Sequence, residues 1–174
     1  MTPRPITKPL QIEWAARADV AGNARTRLPK LVAAYFAEGR KLLDANPAPA
    51  ELHTLRLASK KLRYTLELFK SCYGPGLTAR INALRSLQQM LGDINDTVAA
   101  ERTIETAIGA RTPEMARVAR FLRGRGGAMA NEFRKHWREV FGAAGRERWW
   151  IDYLARRAGP ANRKRPRRMA GHAV

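Results

Sequence analysis

His53, Arg56, Lys60 and Arg63 follow one another at spacings of three, four and three residues. On an α-helix such positions form a single column, with neighbouring Cβ atoms ~5–6 Å apart. Like charges at these spacings destabilise an isolated helix by ~0.2–0.5 kcal/mol per pair, so the column is costly unless something negative meets it. Its chemistry suits a chain of phosphates. An arginine offers a planar fork that holds two phosphate oxygens, and a lysine offers a point charge. A row of cations rising ~1.5 Å per residue can follow a linear anion and displace its counterions. His53 adds a donor whose charge depends on pH, so binding is expected to tighten as pH falls toward ~6. Glu67 falls in the same column and is placed to neutralise Arg63.

The helix that carries these residues is expected over 50–72. At ~100° per residue, Leu52, Leu55, Leu62, Leu66 and Phe69 share one arc, with Ser59 among them, and read as the core stripe. Leu57, Tyr64 and Leu68 make a second apolar patch well round the helix, and the column lies between the two. Thr54, Lys61 and Thr65 mark the ordinary solvent side. A charge run is most often a solvated face. Apolar residues on both flanks point instead to the lining of a groove.

Most of the remaining chain also reads helical, because Ala, Leu, Arg and Glu dominate and strand-like alternation is absent. A first helix is placed near 10–22, broken by Gly22-Asn23, and a second near 24–45 with Pro29 close to its start. Asn46-Pro47-Ala48-Pro49 is a stop, since the residue before a proline is pushed out of helical geometry. Gly74-Pro75-Gly76 ends the 50–72 helix. A fourth begins near Leu77 and runs through Leu84, Leu87, Leu91, Ile94 and Val98, with Gly92 a place to kink or divide it. Pro113 starts a long helix to about Phe141, weakened at Gly124, Gly126 and Gly127. A short segment with Trp149, Trp150 and Tyr153 follows. The fold class is all-α: an antiparallel bundle of four or more long helices with short connections.

Lys+Arg 33 against Asp+Glu 15 gives a net charge of +18 over 174 residues, an excess that a folded surface carries only with self-repulsion. A polyanionic partner is the reading that accounts for it. The single cysteine, Cys72, excludes a disulfide framework and a thiolate zinc site. No apolar run is long enough to span a membrane, and the first residues lack the apolar stretch of a signal peptide, so a cytoplasmic protein is expected. Residues 1–9 read as a loose arm, 10–158 as the bundle, and 159–174 as a basic, disordered tail able to add electrostatic affinity.

The stretch His53-Thr-Leu-Arg56-Leu-Ala-Ser-Lys60-Lys61-Leu-Arg63-Tyr64 resembles the signature helix of CHAD domains. Leu87-Gln88-Gln89-Met90-Leu91-Gly92-Asp93-Ile94-Asn95-Asp96 resembles the second motif of that family, and Phe133, Trp137 and Phe141 are similar to its aromatic closing helix. The resemblance covers roughly 25–141. It implies a helical module that binds inorganic polyphosphate through a basic groove and associates with polyphosphate granules, without a cofactor. His53, Arg56, Lys60 and Arg63 would be the ligand contacts by this resemblance. Lys61 and Tyr64 match the motif as well, although the helical wheel turns Lys61 away and leaves Tyr64 at the border. Arg80 and Arg85 on the fourth helix are further candidate contacts. Members of the family usually enclose the groove with two helical halves. This chain carries one signature helix, and a homodimer is expected to rebuild the pair.

Other features weigh less. Asn95 and Asp96 lack the clustered carboxylates of a magnesium site and read as capping or interhelical hydrogen-bonding residues. His136 and His172 have no partner that suggests catalysis. No acid/base pair suited to hydrolysis is present, and no enzyme activity or metal is expected. Arg117, Arg120, Arg123 and Arg125, with Arg134, Lys135 and Arg138, extend the positive surface and read as a solvated face. Trp137, Phe141, Trp149 and Trp150 read as core or dimer contacts. Two other functions fit parts of the pattern. Nucleic-acid binding through the broad arginine surface and tail is one, with nucleic acid then a competitor of polyphosphate. A histidine phosphotransfer protein is the other, for which the cations around His53 are a poor match.

Overall fold

The computed structural model describes residues 15–107, 112–156 and 158–159. Among these residues there are five α-helices and no strand: α1 (Val20–Asp44), α2 (Leu52–Leu68), α3 (Pro75–Ala107), α4 (Pro113–His136) and α5 (Arg146–Arg156). The expected arm at 1–9, the start of the helix at 10–22 and the tail beyond 159 lie outside the described residues.

The first helix begins later than the sequence reading placed it. Asp19 caps α1 by accepting a hydrogen bond from Gly22 N at 2.6 Å, a cap of the kind that contributes ~1 kcal/mol. Gly22 is needed there, because a Cβ would lie 2.8 Å from Asp19 Oδ1. Asn23 accepts from Ala15 N and donates to the carbonyls of Ala15 and Ala18. Gly22-Asn23 therefore builds the start of α1 and does not break a helix. Pro29 lies well inside α1, not near its start.

α1 stops as expected before Pro47, and Asn46 takes a left-handed turn (φ 48°). α2 ends at Leu68, and a 3₁₀ turn, Lys70–Cys72, carries the chain to Pro75. That proline opens α3, where its missing N–H costs nothing. α3 is continuous for 33 residues, ~50 Å, and Gly92 does not divide it. The glycines of α4 do not interrupt it either, since its buried face of Ala119, Gly126, Ala130 and Phe133 is held by packing. After His136 the helix widens into a π turn, Trp137–Phe141, closed by Gly142 N donating to Trp137 O at 2.7 Å.

Neighbouring helices run antiparallel. Arg25 and Arg40 at opposite ends of α1 reach Ala158 O and Glu147 at opposite ends of α5. The π turn lets Trp137 and Phe141 both enter the core, where Phe36 stacks on Phe141 at 5.2 Å and Trp150 closes the cluster. Gly39 makes this possible, because any Cβ there would overlap the Trp137 ring. The α2 core stripe is buried as read, Leu52, Leu55, Leu62, Leu66 and Phe69 among it. Ser59 sits fully buried in that stripe, 2.7 Å from the Tyr35 hydroxyl, and donates to Leu55 O. Burial pushes the Tyr35 hydroxyl pKa up, against the opposing hydrogen bond to Ser59, so it stays protonated.

Candidate anion-binding groove

The α2 column runs along the side of α2 that meets α3, so the candidate groove would have these two helices as its walls. The pairing is antiparallel. His53 Nδ1–H donates to Asn95 Oδ1 at 2.7 Å, and Arg63 Nε donates to Gln88 Oε1 at 2.9 Å. Arg85, Gln88, Gly92, Asn95, Ala99 and Arg102 follow at spacings of three and four, so they form one stripe of α3 beside its core stripe of Leu84, Leu87, Leu91 and Ile94. The α2 column thus borders α3. Leu57, Tyr64 and Leu68 of the second apolar patch are exposed, Leu68 to 80%, and Tyr64 and Leu68 line a shallow depression with Lys61, Thr65 and Glu67.

The two ends of the column are tied and its middle is not. At one end Glu67 Oε1 accepts from Arg63 Nη1 at 2.8 Å and from Arg85 Nη2 at 2.9 Å. Arg85 also donates to Asn82 Oδ1 at 3.0 Å. At the other end His53 is fixed by Asn95, which leaves Nε2 as its remaining ring nitrogen. Between them Arg56 and Lys60 are half-buried and make no side-chain hydrogen bond or ion pair among the described residues. The register set by the two tied pairs puts Gly92 opposite them, and a Cβ at Gly92 would meet nothing within 4 Å. Two half-buried cations without an ion pair, beside the open surface at Gly92, form a patch of positive potential.

Beyond His53 the groove opens into a depression of about 370 Å³ lined by Pro49, Ala50, His53, Asn95, Ala99 and Arg102, with Val98 beside them. Arg102 was not among the residues singled out in the sequence. Its signal was there, seven residues beyond Asn95 on the same stripe. Asn95 does make the interhelical hydrogen bond its type suggested.

The remaining candidates fall elsewhere. Lys61 is exposed on the side of α2 nearest Glu38 of α1; burial raises that carboxyl's pKa, and Lys61 pulls it back down. Tyr64 borders the column, with the Arg63 guanidinium 4.2 Å over its ring. Arg80 is a correction. It is 3% exposed, with its guanidinium 3.4 Å from the Trp149 ring centroid and 3.9 Å from that of Tyr153. It donates to Trp149 O at 2.6 Å and Gly76 O at 3.1 Å. Burial lowers its pKa to about 10, which leaves it charged at neutral pH. Enclosed in this way, Arg80 has no surface to offer a ligand. Gly76 admits the Tyr153 ring, since a Cβ would lie 2.6 Å from Tyr153 Cε2.

Among the described residues no cluster of His, Cys, Asp or Glu is suited to hold a metal, and no helix is long and apolar enough to cross a membrane. The chain belongs to the CHAD domain family, whose model matches residues 7–105. The match takes in α1, α2 and most of α3, hence the α2 column and the stripe of α3 beside it, and ends before α4. CHAD domains are known as polyphosphate-binding modules and are generally non-catalytic. No curated protein and no solved structure matches the chain.

Proposed function

We propose that the chain binds inorganic polyphosphate without catalysis, along the groove between α2 and α3. The observation that carries this reading is the pair Arg56 and Lys60: half-buried, without a counter-charge among the described residues, and facing Gly92. His53, Arg63 and Arg85 flank them as secondary contacts, Tyr64 lies at the border, and Lys61, turned toward α1, adds only general positive charge. The polymer replaces the missing counter-charge and relieves repulsion within a chain of net charge +18. Its repeating, unbranched charge suits a groove that is linear over ~15 Å from His53 to Arg63. The folded unit is taken as residues 10–158, with the arm before it and the basic tail after it, and the setting as the polyphosphate granule of the cytoplasm.

Arg56→Ala and Lys60→Ala are expected each to lower polyphosphate affinity by ~1–3 kcal/mol, the scale of a charge-assisted contact. Duplex DNA affinity should change much less. Titrations at about 150 mM salt, where general electrostatics are already weakened, decide the matter; equal losses for both ligands would sink the dedicated groove.

The exposed strip of Leu57, Tyr64 and Leu68 runs beside the column and supports pairing of two copies, which would set two columns side by side. A mass of one chain, 19.5 kDa, at micromolar concentration with and without polyphosphate rules that pairing out.

A further inference from the structure

We propose that the outward face of α4 binds single-stranded nucleic acid, as a second site that goes beyond the groove between α2 and α3. α4 buries one narrow face and presents Arg117, Arg120, Phe121 and Arg125 outward. Phe121 is 65% exposed and Val118 43%. The acidic residues of α3 that face α4 are already occupied, since Arg123 donates to Glu101 at 2.7 Å and to Glu105 at 2.6 Å. Arg117, Arg120 and Arg125 are left without an ion pair among the described residues; Glu114 and Glu132 lie on the same side of α4, near its two ends.

The order along the helix matters more than the count. Arg117 lies one turn before Phe121 and Arg125 one turn after it, ~12 Å apart along the axis. Helical side chains lean toward the N-terminus, so the positions that could reach back over Phe121 are three and four residues later, Gly124 and Arg125. Gly124 has no side chain and a Cβ there would meet open space, and no cation lies over the Phe121 ring among the described residues. The ring, 65% exposed, is therefore open between two cations. A cation, a free aromatic face and a second cation match an alternating ligand, with phosphate at either side and a flat base between. Inorganic polyphosphate has no base to stack, and a duplex hides the faces of its bases. An unpaired strand offers both.

Phe121→Ala tests this without changing any charge, so the groove and the tail act equally in both proteins. Oligo-dT and oligo-U strands of about 15 nucleotides, and an abasic strand of equal length, would be titrated onto the full chain at about 150 mM salt. The expected result is an affinity for dT or U about 5- to 150-fold weaker in Phe121→Ala, the range of one lost base stack. Loss on the dT strand assigns the site to DNA and loss on the U strand to RNA; either carries the proposal. The abasic strand and polyphosphate should bind both proteins alike, and Phe121→Tyr should restore the strand. Unchanged dT and U affinity, or an equal loss on the abasic strand, overturns it. Because the ring is exposed, the variant should keep the wild-type melting curve, and Arg56→Ala leaves this site intact while it weakens the groove.

Discussion

Arg80 and Arg56 stand on neighbouring helices and put the same guanidinium to opposite uses. Arg80 is shut between Trp149 and Tyr153, with two backbone carbonyls accepting from its nitrogens. Arg56 is half-buried with no such partner and faces the gap left by Gly92. The first is a staple that ties the start of α3 to α5. Its positive charge is met by ring quadrupoles and two carbonyl dipoles, although Nε is buried without a partner and burial lowers its pKa. The second has a charge that the fold leaves open, and the proposed anion contact rests on that openness.

The sharpest way to separate the two is to delete each and watch stability and binding together. Arg80→Ala should have the largest effect, a loss of about 3 kcal/mol of stability from two ring contacts and two charged hydrogen bonds. Thermal denaturation should show a melting point lower by roughly 6–12 °C, while the polyphosphate affinity of the folded fraction stays the same. Arg56→Ala and Lys60→Ala, with the affinity losses given above, should leave the melting point within ~2 °C, since no hydrogen bond or ion pair among the described residues is removed and only part of each stem is buried. An unchanged melting point for Arg80→Ala would break the comparison. The smallest effect is expected from Gln88→Leu. It removes the acceptor of Arg63 Nε but leaves Glu67 in place, so calorimetry should register an affinity loss of only ~0.5–1.5 kcal/mol.

Periodicity revealed what is local. The core stripe of α2, the column beside it and the stop at Asn46-Pro47 depend on residues within a few turns, and each stands where the spacing put it. The fate of Arg80 was hidden because its two rings come from 69 and 73 positions later in the chain, which no helical wheel of α3 displays. Gly22-Asn23 misled for a related reason. Both residues are common in breaks and in caps, and only the carbonyls of Ala15 and Ala18 around Asn23 decide between the two. The π turn escaped because one extra residue per turn leaves no sign in composition; it follows from the demand that Trp137 and Phe141 share one core. The wall of the groove on α3 was legible in part. Its motif was seen, but its 3-4-3-4-3 stripe from Arg85 to Arg102 gains meaning only once His53 and Arg63 fix the register.

Glu67 gives the groove a direction. A polymer laid along α2 meets a carboxylate already held by Arg63 and Arg85 at one mouth, and at the other the depression beside Arg102. On the proposed reading, Arg63 and Arg85 at the first mouth share their charge with Glu67. Arg102 at the second is in no ion pair among the described residues, so a phosphate should engage the Arg102 end first. Polyphosphate itself reads the same from either terminus. Polarity in the proposed complex would therefore belong to the protein alone, and successive copies on one strand would be free to point either way.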